Sequence, residues 1–404
     1  MRNYFLTIAF LMTYVNVNLF AQQSITERDS HEKLAKNIIV GAECTDQYFP
    51  KLMGKSIAIV ANQTSLIGST QVVDSLYSKH FSISKIFSLE HGFRGNQDAG
   101  SNISDYIDEK TKIPVISLYG TKKKPSKDDL SNVQVIIYDI QDVGVRFYTY
   151  ISSLHYLMEA CAENNIELMV LDRPNPNGFY VDGPVLEDDC HSFVGMHPVP
   201  IVYGMTCGEY ANMINEEGWL SNGLKCKLNV VKVINYTHSD KYQLPVKPSP
   251  NLPNMSSVYL YPSLGLFEGT VISVGRGTNN PFQLIGIPHL KQYDTTFTPK
   301  SIAGALKPPF QDTLCYGYDL SDFGNTFIKN RRQLYLYWLI ELFKTSINKK
   351  NFFNPYFDKL AGTKSLKKQI ISGLSEEEIY KSWASGIEQF KKIRKKYLLY
   401  PDFE

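Results

Sequence analysis

From residue 56 onward the chain alternates short aliphatic runs with longer stretches of mixed polarity. The runs cover residues 56–61, 85–89, 114–118, 133–140 and 167–171, each with the length and composition of a buried strand. Between the last two, residues 147–164 carry Leu154, Leu157, Met158 and Cys161 at the spacing that puts apolar side chains on one face of a helix. Strand, helix and strand in that order predict a parallel sheet covered by helices, so the fold class is α/β, Rossmann-like and doubly wound. A helix opening near Thr206, with Glu209 in its first turn, runs to Trp219 and leads into a strand at 228–233.

The pattern then changes. Pro245, Pro248, Pro250, Pro253 and Pro262 crowd residues 242–262, and so many missing backbone donors predict a crossover loop or a domain junction. The final third reads as helices at 331–344 and 376–397, the second opened by Ser375 and Glu378 at capping-box spacing. At the other end, Met1-Arg2-Asn3 precede an apolar stretch at 4–20 and the small residue Ala21, the pattern of a signal peptide over residues 1–21. The mature protein is therefore expected to be exported, periplasmic or secreted. No second stretch of about 18 apolar residues follows, so no membrane insertion is expected after cleavage.

Composition narrows the function classes. Lys and Arg number 42 against 40 Asp and Glu, a net charge of +2 that gives no whole-protein field for nucleic acid or an anionic membrane. The basic run Lys391-Lys392-Ile393-Arg394-Lys395-Lys396 sits near a helix C-terminus, where it complements the dipole as a solvated face. Six cysteines lack paired CxxC spacing, which argues against structural zinc. Export would allow disulfides, but a chain of 404 residues does not need them, and most are expected as buried thiols. The GxGxxG fingerprint is missing after the first strand, where Ala61-Asn62-Gln63-Thr64-Ser65 stands, so no nucleotide cofactor is expected.

In an open parallel sheet, ligands sit beyond the carboxyl ends of the strands. Those positions are polar here: Glu90, His91 and Arg94 after one run, Tyr119 after the next, then Gln141, Asp142, Arg146 and Tyr148, then Asp172, Arg173 and Asn175. Carboxylates, amides, aromatics and arginine on one rim suit a carbohydrate, whose hydroxyls need paired donors and acceptors and whose faces pack on rings. Glycoside cleavage needs a carboxyl group to protonate the departing oxygen, and Glu90, between an apolar strand and a glycine turn, is the first candidate. Its neighbour His91 has no HxH or HExxH companion, so no metal is expected. Further along, Glu268 and the Gly275-Arg276-Gly277-Thr278 segment offer a second carboxylate and a guanidinium on an approachable backbone. Glu268 can serve as the second acidic group or simply as a partner for an arginine. GxSxG is absent, and the SxxK match at Ser82 precedes a strand rather than opening a helix, which disfavours serine acyl chemistry.

Long motifs now line up in one order: Asn62-Gln63-Thr64, Ser88-Leu89-Glu90-His91-Gly92-Phe93-Arg94-Gly95, Asp98-Ala99-Gly100, Ser117-Leu118-Tyr119-Gly120, the stretch from Asp139 to Tyr150, and Leu171-Asp172-Arg173-Pro174-Asn175-Pro176. Ser192-Phe193-Val194-Gly195, Tyr203-Gly204-Met205-Thr206-Cys207-Gly208-Glu209, Pro248-Ser249-Pro250-Asn251 and the Glu268 to Phe282 region follow. Over roughly residues 38 to 400 this series resembles the exo-β-N-acetylmuramidase family, long catalogued as a domain of unknown function. Leu89, where the family more often has Pro, and Cys207, where Ile is more usual, depart from its pattern without removing a titratable group. The resemblance implies a Rossmann-like catalytic domain at 38–240 and a smaller C-terminal α/β domain at 241–404 that completes the cleft. It implies release of a non-reducing-end N-acetylmuramic acid (MurNAc) from β-1,4-linked muropeptides or a MurNAc-terminated disaccharide, and its motif places the catalytic acid at Glu90; Glu268 stays the leading candidate for the second catalytic group from its own position in the chain. Asn62, His91, Arg94, Tyr119, Gln141, Asp142, Arg146, Tyr148, Asp172, Arg173, Asn175, Asn251, Arg276 and Thr278 are expected around the substrate. Because MurNAc carries a lactyl carboxylate, Arg94, Arg146 or Arg276 is expected to pair with it. The alternatives are a glycosidase for another amino sugar and a muropeptide-binding protein without catalysis.

Overall fold

A computed structural model describes residues 37–95 and 104–404. The signal peptide expected at 1–21 and the Asp98-Ala99-Gly100 motif lie outside the described residues. Among these residues, seven strands form the main sheet: β1 (Ser56–Ala61), β2 (Ser82–Ser88), β3 (Tyr106–Ile107), β4 (Pro114–Ser117), β5 (Val135–Asp139), β6 (Glu167–Leu171) and β7 (Lys227–Val231). Their order is β3-β4-β2-β1-β5-β6-β7, with β3 antiparallel to β4 and every other pair parallel. Leaving aside the short edge strand β3, this is the Rossmann order, which reverses direction at β1. The carboxyl ends of β1 and β5 lie side by side there, with Ala61 in register with Asp139.

The aliphatic runs are continuous because both faces of the sheet are covered. Ile57, Ile59, Val135 and Ile137 point to the side where α1 (Thr45–Leu52) and α2 (Val72–Ser78) contribute Tyr48, Leu52, Val73 and Leu76. Ala58, Val60, Ile136 and Tyr138 point to the other side, against Leu154 and Met158 of α3 (Tyr150–Glu163) and Tyr210 and Met213 of α4 (Cys207–Glu216). Thr206 caps α4 by accepting from the Glu209 backbone N–H. The strand expected at 85–89 begins earlier, at Ser82, because Ser82, Ile83 and Ser84 are not buried and are held by pairing with β1 instead.

Beyond residue 250 come α5 (Met255–Leu264) and a small antiparallel sheet of β8 (Leu284–Ile287), β9 (Thr295–Phe297) and β10 (Cys315–Asp319), in the order β8-β10-β9. The helices α6 (Ser321–Thr326), α7 (Tyr337–Thr345), α8 (Phe357–Ala361), α9 (Ser365–Ile371) and α10 (Glu376–Arg394) complete the chain. This is the smaller C-terminal α/β region, and its core residues, Leu339 and Phe357 among them, join the same buried cluster as Val60 and Leu154. All six cysteines are buried free thiols. The basic run at the end of α10 is tied to its own chain: Arg394, fully buried, pairs with Asp402, Lys391 with Glu404 and Lys396 with Glu217. Among the described residues no helix is long and apolar enough to cross a membrane.

The proline-rich stretch at 242–262 differs from its expectation, since its last third is the buried helix α5, with Pro262 inside it. Proline at 262 removes the hydrogen bond that Val258 O would receive in a regular helix. The side chain of Asn177 replaces it, donating from Nδ2 to Val258 O at 3.1 Å and to Val143 O at 2.9 Å. Asn254 caps the start of the helix by accepting from Ser257 N at 3.1 Å. Asn177→Ala is therefore expected to strand two buried carbonyls and lower unfolding stability by about 1–3 kcal/mol in urea titration. A change within experimental error would show that the helix tolerates its proline unaided.

Candidate active site

The topological switch opens into a cavity of about 420 Å³, within the range of small-molecule clefts, lined from both parts of the chain. Glu90, His91, Tyr119, Gly120, Lys123, Phe147, Tyr148 and Thr149 come from the carboxyl side of the main sheet. Phe193 and Val194 come from a tight Ser192–Gly195 turn, and Ser249, Asn251 and Leu252 from the proline-rich loop. Tyr261, Glu268, Arg276, Phe282 and Tyr356 complete the wall from the C-terminal region. Rings of Phe147, Tyr148 and Phe282 pack edge-on around Tyr261 at centroid distances of 4.9 to 5.9 Å, a rigid apolar floor of the kind sugar faces stack on.

Glu90 stands two residues beyond β2, where the chain turns sharply: His91 has φ +72° and Gly92 φ +75°, and Gly92 N donates to Leu89 O at 3.0 Å. A positive φ is costly for a histidine and persists only where neighbours hold it. His91 Nε2 shares a 3.1 Å hydrogen bond with Ser249 Oγ, which ties the turn to the proline-rich loop. The turn aims the Glu90 carboxyl into the cavity, where Oε1 accepts from the Tyr119 hydroxyl at 2.8 Å and Oε2 faces Thr149 Oγ1 at 3.4 Å. Burial, then the Glu90 carboxylate beside it, push the Tyr119 phenol up, so Tyr119 stays a neutral donor. Beneath, Tyr150 OH donates to Glu90 O at 3.3 Å and accepts from Asn62 Nδ2 at 3.1 Å. Tyr148 OH and Gln63 Nε2 both donate to Pro248 O, fixing the loop that carries Ser249 and Asn251.

Across the sequence, Glu268 Oε1 accepts from Arg276 Nε at 3.0 Å and from its Nη2 at 2.7 Å. Burial works against the Arg276 charge, but the Glu268 carboxylate outweighs it and holds the guanidinium above its ordinary value. The same guanidinium lies 5.1 Å from the centre of the Phe282 ring. Gly275 and Gly277, with φ of +73° and +83°, were expected to let the backbone approach a ligand. Instead a Cβ on Gly277 would stand 2.6 Å from Lys300 O, so this glycine makes room for the protein's own backbone.

Seven of the sixteen expected site residues therefore meet in one cavity: Glu90, His91, Tyr119, Tyr148, Asn251, Glu268 and Arg276. The other nine do not line it. Asn62 is buried and acts through Tyr150. Arg94 is taken by two carboxylates, Asp74 and Asp108. Arg146 is buried among four carbonyls, those of Pro184, Val199, Leu360 and Ala361. Gln141 donates to Asp142 O and Pro174 O, Arg173 pairs with the buried Asp139, and Asn175 donates to Met205 O. Asp172 accepts from Tyr400 OH, Thr206 Oγ1 and Gly208 N, and Thr278 closes a local turn on Gly275 O. These polar groups answer the sheet's own buried donors and acceptors, a demand as strong as any ligand's. Sequence reasoning passed over Lys123 and Tyr356. Lys123 follows a strand end, which was a usable signal, whereas Tyr356 comes from a region without recognisable motifs.

Asp142 has a consequence of its own. Burial pushes its carboxyl up to about 6, against the pull of hydrogen bonds from Tyr203 OH and Gly144 N. An unfolded chain releases that proton near pH 4, so the folded state holds one extra proton between about pH 4 and pH 6. The stability this confers is present below pH 4 and lost as pH rises toward 6. Asp142→Asn, which cannot titrate, is expected to show a flatter decline in urea midpoint from pH 4.5 to 6.5 than the parent. Parallel declines would mean that Asp142 ionises at its ordinary value.

Comparison with known proteins agrees in both parts of the chain. Residues 57–256 match the family model described as exo-beta-N-acetylmuramidase NamZ, N-terminal, and residues 259–400 match its C-terminal counterpart. The peptidoglycan beta-N-acetylmuramidase NamZ of Bacillus subtilis (strain 168) is 41% identical over 386 residues, covering 87% of this chain and 89% of that protein. A crystal structure of a DUF1343 family protein from Bacteroides fragilis NCTC 9343 superposes with TM-score 0.85 at 46% identity over 91% of this chain and 99% of the other. A second from the same organism gives TM-score 0.77 at 29% identity over 90% and 99%. With both family models matched in order around a cavity built from the motifs they share, the chain belongs to the exo-β-N-acetylmuramidase NamZ family.

Proposed function

We propose that this protein is an exo-acting glycoside hydrolase that releases MurNAc from the non-reducing end of β-1,4-linked peptidoglycan fragments. The observation that carries the reading is Glu90, aimed into an aromatic-floored cavity and oriented by Tyr119 and Thr149, in the same cavity as the Glu268–Arg276 pair. Glu90 in its acid form gives its proton to the oxygen of the leaving sugar as the bond from that oxygen to the anomeric carbon breaks. Water adds at the anomeric carbon, and its surplus proton ends on a carboxylate. Glu268, whose position Arg276 fixes, is the second carboxylate available for this step. The aromatic floor holds the sugar ring, and Asn251, His91 and Tyr148 border it.

A peptidoglycan-derived muropeptide is the substrate class, and a MurNAc-terminated disaccharide is its smallest member. The apolar leader read at 4–20 supports export, which would bring the enzyme to the periplasm or outside the cell, where such fragments arise. Incubating the purified protein with MurNAc-β-1,4-N-acetylglucosamine and weighing the products by mass spectrometry tests the proposal. Free MurNAc and N-acetylglucosamine are expected, with no action on a disaccharide of the reverse order. Tight binding of the disaccharide without products would identify a muropeptide-binding protein instead, and faster release of another chromogenic amino sugar would identify a different glycosidase.

A further inference from the structure

A terminal MurNAc differs from N-acetylglucosamine by a lactyl ether ending in a carboxylate, so an enzyme that selects it needs a positive group in the pocket. Each arginine expected in that role is committed elsewhere. Arg94 bonds Asp74 and Asp108, and Arg146 is buried away from the cavity. Arg276 does line the cavity, but Glu268 already neutralises it at 2.7 Å. A lactyl carboxylate brought to that guanidinium would also meet the Glu268 carboxylate, and like charges so close repel.

The lysines that follow β4 divide differently. Lys122 turns to Asp129 at 2.7 Å, and Lys124 to Glu159 at 3.1 Å and Glu163 at 2.6 Å. Lys123, between them, lines the cavity, and no carboxylate of the described residues forms an ion pair with it. Its ammonium rests 4.3 Å from the centre of the Phe193 ring, and that ring is stacked in turn on Tyr156 at 6.2 Å. A flexible lysine is thereby parked against a fixed aromatic face in the site, with its charge left for an anion.

We propose that Lys123 is the specificity residue of the site, reading the lactyl carboxylate of the terminal MurNAc, with Phe193 positioning its ammonium. The proposal rests on the reading of this cavity as the MurNAc-releasing site. It accounts for selection without a second buried arginine: removing the lactyl group leaves the ammonium without its anion, and substituting Lys123 removes the attraction from the other side.

The test compares wild type, Lys123→Met, Lys123→Arg and Arg276→Lys on three 4-nitrophenyl β-glycosides: the N-acetylmuramide, the N-acetylmuramide with its lactyl carboxyl converted to a methylamide, and the N-acetylglucosaminide. Lys123→Met is expected to raise KM for the free-acid muramide by about tenfold to a hundredfold, the scale of one charged hydrogen bond, with kcat nearly unchanged. Its activity on the methylamide should stay within about threefold of wild type, and Lys123→Arg should recover most of the loss. Equal losses on all three substrates, or a KM for the free acid that does not move, would overturn the assignment, as would loss of the preference in Arg276→Lys but not in Lys123→Met. If wild type hydrolysed none of the three, the reading of the site itself would fail, an outcome distinct from a failure of Lys123 alone.

Discussion

Glu90→Gln is expected to fold normally and to release MurNAc at least about a hundredfold more slowly than wild type, the usual scale for removing a positioned proton donor. Gln has the shape of Glu: its amide oxygen can still accept from Tyr119 while its amide nitrogen donates to the Thr149 hydroxyl, so the turn and the cavity wall keep their hydrogen bonds. Only the transferable proton is lost. Because Glu90 is part-exposed at the cavity, the substitution buries no new unpaired group, and the urea midpoint should change by less than about 0.5 kcal/mol in equivalent stability. Initial rates on the disaccharide, with the unfolding curve beside them, make the comparison. A variant that keeps more than a tenth of wild-type turnover would mean that the leaving oxygen receives its proton from another group, and Glu268→Gln would then be the next measurement.

The second large effect falls on stability. Arg146→Met is expected to lower unfolding free energy by at least about 3 kcal/mol while turnover per folded molecule stays within a few-fold of wild type. The guanidinium is almost wholly buried and donates to Pro184 O at 2.8 Å, Val199 O at 2.7 Å, Leu360 O at 3.1 Å and Ala361 O at 2.6 Å. Burial, with only carbonyls to answer it, pulls its pKa down to about 10, which leaves it charged at neutral pH. Met fills similar space but strands four carbonyls, and stranded acceptors are costly. The chain has no slack to close over them: Gly362 packs so tightly that a Cβ there would stand 2.2 Å from Nη2 of Arg146. Had Arg146 been a substrate ligand, the same substitution would raise KM and barely change the urea curve, so the two measurements separate the roles.

The contrast between Glu90 and Arg146 shows what was legible from residues alone. Strands buried on both faces announce themselves as aliphatic runs, so β1 and β6 match their expected limits, and the order of runs pointed to a doubly wound sheet. Strand ends pointed to one rim of the sheet, and Glu90, Tyr119 and Tyr148 meet there in a cavity. Side-chain direction at that rim was not legible. Asp142, Asp172 and Arg173 occupy equivalent positions but turn inward, since the ends of a buried sheet need polar partners as much as a sugar does. Helix α5 was hidden by prolines because its compensation, Asn177, comes from a segment 81 residues away in sequence. The small antiparallel sheet was hidden for a different reason: β10, Cys-Tyr-Gly-Tyr-Asp, has an ordinary strand's length but no aliphatic residue, and a glycine at its centre.

The last residues of the chain reach back to its first half. Tyr400 OH donates to Asp172 at 2.6 Å and accepts from Val233 N at 3.0 Å, while Leu399 N donates to Glu209 at 2.8 Å and His238 N to Pro401 O at 2.9 Å. A polypeptide ending near residue 256 would therefore leave the carboxyl ends of β6 and β7, at one side of its sheet, unfinished. The two stretches that carry separate family descriptions share one buried core as well as these bonds, so neither is a ready-made module for fusion or exchange. Engineers seeking an insertion position should keep clear of residues 399–401, where even a modest insertion would pull apart the clasp that holds this side of the sheet.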